Sequence, residues 1–277
     1  KIDLTVVGPE APLAAGLVDE FRAHAMKIFG PTKAAAQLES SKAFSKAFMH
    51  RHGIPTAVYQ AFTDVALAHA YVDKMGAPIV VKADGLAAGK GVVVAMTAAQ
   101  AHEAIDFMLL DNSLGVVHNA GADGAAVPRV VIEEFLKGIE LSVFVLTDGI
   151  SYKILPSAKD YKRIGEGDQG LNTGGMGAIS PVPFADKAFL NKVEELVVKP
   201  TILGLQKDGI DYRGFIFIGL MNNNGNPSVV EYNVRMGDPE CQTILPKLKT
   251  DLFEIINACC NENLKNINIE WHDKKSL

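Results

Sequence analysis

Glu231, Asn233 and Arg235 alternate along a short stretch that is typical of a β-strand, so their side chains should lie on one face of a sheet. Mg²⁺ prefers oxygen ligands and usually takes one or two from protein, while phosphates and water supply the rest. A neighbouring arginine suits an anionic group. The stretch predicts Glu231 and Asn233 as ligands of Mg²⁺ (or Mn²⁺) in a metal–phosphate complex beside an anion. The intervening apolar residues should pack in the core; they are Val230, Tyr232 and Val234.

A glycine-rich segment, residues 84–91, follows an apolar strand pattern that ends near Lys82. Its side chains are mostly absent, small or cationic, so its backbone N–H groups can approach an anion. The segment is not a Walker A loop, because three residues instead of four separate Gly85 from Gly89, and Gly91 stands where a hydroxyl would bind metal. We predict a flexible lid over nucleotide phosphates, with Lys82 reaching the same phosphates.

Two further stretches have compositions suited to a nucleotide and to a second substrate. Residues 132–140 join two predicted strands, and an extended connector there can pair with an adenine edge while Glu140 takes ribose hydroxyls. Residues 160–183 are polar and rich in glycine. We predict a long loop there, and long irregular loops are often functional. Its basic and small polar residues suit a phosphorylated or carboxylated substrate.

Each of these stretches also has a plainer interpretation. The late strand could present an ordinary solvated face, and the glycine-rich segment could be a simple hairpin turn. Lys82 could extend to solvent along its apolar stem. Residues 132–140 could be a solvated acidic turn, and residues 160–183 could be a surface loop without a role. None of these stretches decides the matter alone.

The bulk composition bounds the class of protein. The chain has 277 residues, of which 48% are hydrophobic and 21% charged, a globular composition sufficient for one large domain or two smaller ones. A net charge of −5 argues against a nucleic-acid binder that works by bulk electrostatics, and no apolar run is long enough to span a membrane. Three cysteines without metal-type spacing indicate reduced thiols in the cytoplasm. The oligomeric state is left open.

The order of predicted elements favours an α+β or mixed α/β protein with at least two lobes. Residues 1–40 have the pattern of the tail of an α/β unit, with a helix near residues 13–25. Residues 57–135 contain short strands and two helices, which fits a small antiparallel sheet. Later strands are longer, and a helix is predicted over residues 185–199. Because a buried-strand pattern follows Lys1 at once, we expect the natural start of the chain to lie upstream.

Four ordered motifs together resemble the phosphoribosylamine–glycine ligases (glycinamide ribonucleotide synthetases) of the ATP-grasp superfamily. The motifs occupy residues 81–91, 132–136, 172–177 and 231–240, and residues 3–13 are similar to the N-terminal domain of the same enzymes. The resemblance implies an ATP-grasp fold. It divides the chain into the remnant of an N-terminal α/β domain (1–40) and an ATP-grasp region (41–277), with a lid subdomain at about 57–135 and a main lobe at about 136–277.

The resemblance also implies an activity, the ATP-driven ligation of glycine to 5-phosphoribosylamine in purine biosynthesis. ATP would phosphorylate the glycine carboxylate, and the amine would then attack the acyl phosphate. Arg235 would bind the carboxylate or its acyl phosphate, and Mg²⁺ or Mn²⁺ would lie on Glu231 and Asn233. The implied ATP contacts are Lys42, Lys82, Gly85, Gly89, Lys90, Gly91, Glu133, Glu134, Phe135, Leu136 and Glu140. The implied amine pocket comprises Asp160, Lys162, Arg163, Asn172, Thr173, Gly174, Gly175, Met176 and Gly177.

Two alternatives stay open beside the ligase. The chain could be another ATP-grasp carboxylate–amine ligase or a carboxylase, or it could be an ATP-binding module that does not turn over. The family has a glycine-rich segment before the region that matches Lys1 and a further domain after the region that matches Leu277. We therefore expect this chain to bind ATP but not to complete the whole ligase reaction.

Overall fold

The computed structural model describes residues 2–87, 91–111, 117–118, 127–167 and 169–277. The helices in these ranges are α1 (Glu10–Ala15), α2 (Leu17–Ala23), α3 (Lys33–Ser40), α4 (Lys42–Arg51), α5 (Val65–Met75), α6 (Ala98–Leu109), α7 (Lys187–Val193), α8 (Lys199–Lys207), α9 (Glu240–Ile244) and α10 (Leu252–Cys260). The strands are β1 (Thr5–Val6), β2 (Ile28–Phe29), β3 (Tyr59–Phe62), β4 (Ile79–Ala83), β5 (Gly85–Leu86), β6 (Val92–Ala95), β7 (Val117–His118), β8 (Val130–Glu134), β9 (Ile139–Thr147), β10 (Tyr152–Ile154), β11 (Lys159–Gly165), β12 (Gln169–Ile179), β13 (Gly214–Asn223) and β14 (Asn226–Asn233).

The first part of the chain has a parallel pair of short strands, β1 and β2, with helices around it. The single helix predicted near residues 13–25 is two helices. Gly16, at φ 97°, ends α1 and precedes α2, because glycine adopts this left-handed conformation without a steric penalty. Thr32 and Ser41 begin α3 and α4, and the hydroxyl of each accepts a hydrogen bond from a backbone N–H in the first turn.

The small sheet is antiparallel in the order β3-β8-β4-β6, and α5 and α6 pack on one of its faces. Asp64 caps α5, and Thr97 forms a capping box at the start of α6. Alternate strand residues join both helices in one apolar core, since strand side chains alternate between faces. The opposite face carries Lys82 of β4 and Glu133 of β8, two buried charged groups on neighbouring strands.

The large sheet is antiparallel in the order β10-β9-β13-β14, and its two central strands are covered on both faces. On one face, Val143 and Ile216 join a core formed with α3, α4, α7 and α8. On the other face, the rings of Phe144 and Phe217 meet edge to face at 5.1 Å in a core formed with α9 and α10. Because neither face is solvated, β9 and β13 are nearly continuous apolar runs.

The alternation predicted along β14 is interrupted by a β-bulge. Gly219 lies opposite Glu231, but Leu220 lies opposite Val229, so Val230 is the extra residue. Val229 therefore takes the buried position, together with Tyr232 and Val234, and Val230 is only half-buried. The prediction that Val230 packs in the core was wrong, while the shared face of Glu231 and Asn233 is kept because both lie after the bulge.

Two other predicted elements differ in the structure. Residues 160–183, predicted as a long loop, lie largely in the antiparallel hairpin of β11 and β12. Glycine and small polar residues are uncommon in strands and hide the pattern. The helix predicted over residues 185–199 continues through a π-helical turn at Glu194–Val198 and ends at Lys207. Among the described residues, no helix is both long and apolar enough to cross a membrane.

Candidate functional site

Glu231 and Asn233 lie at the end of β14, where the large sheet meets the small sheet, and both are half-buried. Asn233 Nδ2 donates a weak hydrogen bond to Glu231 Oε1 at 3.5 Å. Burial raises the pKa of the Glu231 carboxyl, but Lys162, Lys82 and Lys42 together lower it below its usual value. Glu231 is therefore held ionised next to the Asn233 amide, as a ligand for a hard cation must be.

Two lysines predicted to contact phosphates lie beside Glu231. Lys42 Nζ, from the first turn of α4, donates to the Gly85 carbonyl at 2.6 Å, and burial is the main cause that lowers the pKa of Lys42. Lys82 Nζ donates to the Val230 carbonyl at 3.0 Å. Its side chain is buried, so it does not extend to solvent in the way the plainer interpretation requires. The structure brings both ammonium groups to the same end of β14.

Lys46 was missed by sequence reasoning, yet it is the most buried lysine of this group at 2% exposure. Its ammonium lies 2.9 Å from Glu133 Oε2, while Lys82 lies 3.1 Å from Glu133 Oε1. Burial lowers the pKa of Lys46 and Glu133 opposes that change. A usable signal was present: Lys46 follows Lys42 by four residues, so the two share a face of α4.

The base of the glycine-rich segment is fixed to the N-terminus of α4. The buried Asp84 carboxylate accepts hydrogen bonds from Ser41 Oγ at 3.0 Å and from Ala43 N at 3.1 Å. A Cβ at Gly91 would come within 2.7 Å of Ala87 Cβ, so this position must stay small. Asp84 was another missed residue. The predicted contacts Gly89 and Lys90 lie outside the described residues.

The connector after β8 borders a cleft of about 300 Å³. Glu134 Oε1 accepts a hydrogen bond from Val58 N at 3.1 Å, whereas the Glu133 side chain turns toward the lysines. Gly138 presses against β13, where a Cβ would lie 2.4 Å from the Asn222 carbonyl oxygen. Glu140 is exposed at the start of β9. The cleft is lined by Glu134, Phe135, Leu136, Lys137, Met221, Asn223 and Ser228.

Arg235 is held by two carboxylates from the first part of the chain. Its Nη2 donates to Glu39 Oε1 at 2.9 Å, and its Nε lies 3.4 Å from Glu10 Oε2. Glu39 Oε2 also accepts from Val234 N at 2.8 Å, and burial raises the pKa of Glu39 to about 7 although Arg235 opposes it. Glu39 was missed by sequence reasoning, because 195 residues separate it from Val234.

The hairpin of β11 and β12 contributes Asp160 and Lys162, which lie near further carboxylates. Burial raises the pKa of Asp160 to about 6, and Glu240 adds to the rise while Lys162 opposes it. Among the described residues, Asp160 Oδ1 is buried without a hydrogen-bond partner. Burial lowers the pKa of Lys162, but Glu231 and Glu140 raise it, and the result is a raised pKa. Lys162 therefore stays charged between Glu231 and Asp160.

The remaining hairpin residues fall into two sets. Thr173 Oγ1 donates to the Lys162 carbonyl at 2.8 Å, and a Cβ at Gly175 would meet Pro239 Cδ at 2.4 Å and Asp160 Oδ1 at 3.1 Å. Gly175 therefore lies against Asp160, and Thr173 lies against the backbone of Lys162. Arg163 is exposed and donates to the Gly170 carbonyl within the hairpin. Met176 is 58% exposed, Gly174 and Gly177 have open space around them, and only the backbone of Asn172 is described.

The donor set around Glu231 fits a divalent cation that binds together with phosphates. Among the described residues, three or more His, Cys, Asp or Glu side chains are nowhere grouped to hold a metal ion. Mg²⁺ does not need such a group, because phosphates and water complete its coordination. The ionised Glu231 carboxylate and the Asn233 amide oxygen, which accepts a hydrogen bond from Arg235 Nη2 at 3.4 Å, would provide two oxygen ligands, and the nearby lysines would provide charge for phosphates.

Comparison with protein families identifies the family of the chain. Residues 40–241 match the phosphoribosylglycinamide synthetase ATP-grasp (A) domain, and residues 1–39 match the phosphoribosylglycinamide synthetase N domain. The fold is the ATP-grasp fold; the biotin carboxylase of Campylobacter jejuni shares it with a TM-score of 0.70 over 99% of this chain and 57% of that one, at 17% identity. The chain belongs to the phosphoribosylglycinamide synthetase family.

Similar proteins carry the name phosphoribosylamine–glycine ligase. That of Ralstonia nicotianae is 55% identical over the whole chain, and that of Escherichia coli K12 is 51% identical. The crystal structure from Thermotoga maritima has a TM-score of 0.76 and 37% identity, and it covers 91% of this chain. This chain spans 64%, 63% and 61% of the lengths of these three proteins, respectively.

Proposed function

We propose that this chain carries the ATP site and the acyl-phosphate-forming site of a phosphoribosylamine–glycine ligase. The reaction would join glycine to 5-phosphoribosylamine with release of ADP and phosphate. It would take place in the cytoplasm, where the three free thiols would stay reduced. One observation carries the proposal. The ionised Glu231 carboxylate and the neighbouring Asn233 amide lie at the junction of the two sheets. The ammonium groups near them are those of Lys42, Lys82 and Lys162.

The lysines suit the phosphoryl-transfer step. A carboxylate oxygen of glycine would attack the γ-phosphorus of ATP while the bond to the β–γ bridging oxygen breaks and ADP leaves. Catalysis of such a transfer is mostly positioning and charge stabilisation. Lys82 is buried and Lys42 is half-buried, and carbonyl oxygens fix their ammonium groups at 3.0 and 2.6 Å, so their charges are preorganised. Glu231 and Asn233 would hold Mg²⁺ or Mn²⁺, which supplies further positive charge when bound.

The cleft beside the connector suits the nucleoside half of ATP. Phe135 and Leu136 provide apolar surface, and the backbone of this extended connector can pair with a base edge. Glu140, exposed at the start of β9, is available to ribose hydroxyls. We keep Glu133 in the nucleotide site, but its side chain would act through Lys82, because it turns toward the lysines.

The hairpin suits the second step. The amine nitrogen of phosphoribosylamine would attack the acyl carbon, the carbon–oxygen bond to phosphate would break, and the nitrogen would lose a proton. A carboxyl with a pKa of about 6, such as Asp160, is suited to accept that proton near neutral pH. Lys162 would stabilise charge on the acyl phosphate, and Arg235, already fixed by Glu39, would bind the carboxylate.

A positional isotope exchange experiment tests the first step in this chain. ATP labelled with ¹⁸O in the β–γ bridge scrambles the label only when a carboxylate accepts the γ-phosphoryl group reversibly. We expect scrambling with glycine and a divalent cation. Acetate, D-alanine and bicarbonate serve as competing carboxylates. Exchange with one of these and not with glycine would favour another ATP-grasp enzyme, and ATP binding without any exchange would contradict acyl-phosphate formation by this chain.

A further inference from the structure

We propose that Lys46 is a positioning residue of the nucleotide site. It fixes the Glu133 carboxylate, and through Glu133 it fixes the ammonium of Lys82. The inference rests on the proposed function, in that Lys82 is taken to contact ATP. Lys46 itself would not touch the nucleotide.

The geometry assigns each oxygen of Glu133 to one lysine. Glu133 Oε2 lies 2.9 Å from Lys46 Nζ, and Oε1 lies 3.1 Å from Lys82 Nζ. The three residues are 2 to 5% exposed, so little water screens them and their mutual attraction is stronger than on the surface. Among the described residues Oε1 accepts no hydrogen bond, so its 3.1 Å ion pair with Lys82 is what rotation of the carboxylate would break. Lys46 thus determines where Oε1 faces Lys82.

Both lysines are also anchored to the β-bulge that precedes the predicted metal ligands. Lys46 donates to Thr56 Oγ1 at 2.8 Å, and that hydroxyl donates to the Val229 carbonyl at 2.6 Å. Lys82 donates to the next carbonyl, that of Val230, at 3.0 Å. The cluster therefore joins α4, the small sheet and β14 within two residues of Glu231. A displacement of Lys46 would be transmitted to the place where phosphates and metal would meet.

The charge of the cluster distinguishes positioning from simple stabilisation. Two ammonium groups share the Glu133 carboxylate, so that carboxylate balances only one of them. The charge of Lys82 also acts on the ionised Glu231 carboxylate and lowers its pKa, so this charge is directed toward the predicted metal ligands. A second ammonium group in this place is suited to an anionic ligand. Lys46 neutralises Glu133 and thereby leaves the charge of Lys82 available to a phosphate.

The variant Lys46→Met keeps most of the apolar stem and removes the charge. We expect its dissociation constant for ATP with Mg²⁺, measured by isothermal titration calorimetry, to rise about 10- to 100-fold, the effect of one charge-assisted hydrogen bond. Arg51→Met is the matched control, because Arg51 lies on the same helix and pairs with Asp208 at the surface. It should bind ATP within about twofold of the parent.

Two further measurements separate positioning from stability. Thr56→Val keeps Lys46 but removes its second anchor together with the hydrogen bond from Thr56 to the Val229 carbonyl, and we expect a rise of about 3- to 10-fold in the ATP dissociation constant with the fold intact. Lys46→Met combined with Glu133→Gln should bind no more weakly than the weaker single variant, because both act through Lys82. The thermal midpoint of unfolding without ligand is recorded for each variant. A purely structural role of Lys46 would change this midpoint and leave the ATP dissociation constant of the folded variant unchanged.

The outcomes are distinct. A Lys46→Met chain that folds and binds ATP as the parent does would overturn the inference. If that variant does not fold, unchanged ATP binding by Thr56→Val would overturn it instead. A parent chain that fails to bind ATP would contradict the proposed function itself, and the role of Lys46 with it.

Discussion

The small-sheet end of the site and its hairpin end carry surpluses of opposite charge. At the small sheet, Lys46 and Lys82 share the Glu133 carboxylate, Lys42 lies one helical turn before Lys46 on α4, and burial lowers the pKa of Lys42 and Lys46. At the hairpin, the carboxyls of Glu140, Asp160 and Glu240 surround Lys162, and burial raises the pKa of Asp160 to about 6. Burial therefore makes the dominant charge at each end unfavourable. A bound ligand of opposite charge would stabilise the charged form of these groups.

The two ends also differ in how their groups are held. The lysines of the small-sheet end come from α4 and β4, and each has a hydrogen-bond acceptor within 3.0 Å. The hairpin groups lie on strands with irregular register, and Asp160 Oδ1 has no hydrogen-bond partner among the described residues. The small-sheet end is therefore preformed and the hairpin end is adjustable, and under the proposed function they would take the phosphates and the second substrate, respectively. Glu231 lies between them and interacts with lysines of both.

The largest effect is expected from Glu133→Gln at the small-sheet end. The change leaves two buried ammonium groups without their shared counter-charge, so we expect the free energy of unfolding to fall by about 3 kcal/mol or more. Urea denaturation measures it. Glu195→Gln, which removes an exposed pair with Lys199, is the control and should change stability by no more than about 0.5 kcal/mol. Equal effects of the two changes would refute the claim that the small-sheet charges are tightly held.

A smaller effect is expected from Gly175→Ala at the hairpin end. The added Cβ would lie 2.4 Å from Pro239 Cδ, and Gly175 has φ 133°, so we expect a loss of about 2 kcal/mol. Gly174→Ala is the matched control, because its Cβ would meet no described atom within 4 Å. Thermal denaturation of both variants compares them. If Gly175→Ala is as stable as Gly174→Ala, the close packing of the hairpin against Pro239 is wrong.

The smallest effect concerns pH and Asp160. Because the pKa of Asp160 in the folded chain is raised to about 6, its contribution to stability is fully present below about pH 4 and is lost as the pH rises through 6. Asp160→Asn should therefore match the parent at pH 4 and exceed its stability at pH 7. Denaturation curves at both pH values measure the difference. A variant that is less stable than the parent at pH 7 would show that Asp160 is stabilised, not opposed, by its surroundings.

Local pattern was sufficient for the shared face of Glu231 and Asn233 on β14 and for the small sheet. That face was predictable because strand side chains alternate, and the position of Lys82 at the end of an apolar strand was predictable because a glycine-rich segment follows it. The bulge at Val230 was not predictable, since it depends on pairing with Gly219 and Leu220 of another strand. The hairpin of β11 and β12 was missed because glycine has no strand signature, and the two strands are defined by their hydrogen-bonded pairing with each other.

The partners of the predicted residues were the harder part. Lys46 pairs with Glu133 and Glu39 with Arg235, and each pair joins segments that are far apart in the sequence. A buried lysine or glutamate in a helix looks like a surface residue until its partner is known. The division into domains and the individual roles of the site residues stay predictions.

The central claim is that Glu231 holds a divalent cation together with ATP, and calorimetric titration tests it most directly. ATP is titrated into the parent chain, Glu231→Gln and the control Glu195→Gln, each with Mg²⁺ and with EDTA. We expect Mg²⁺ to lower the ATP dissociation constant of the parent and of the control. In Glu231→Gln, we expect the factor by which Mg²⁺ lowers this constant to be smaller by at least about tenfold. Equal dependence on Mg²⁺ in the parent and Glu231→Gln would contradict the account.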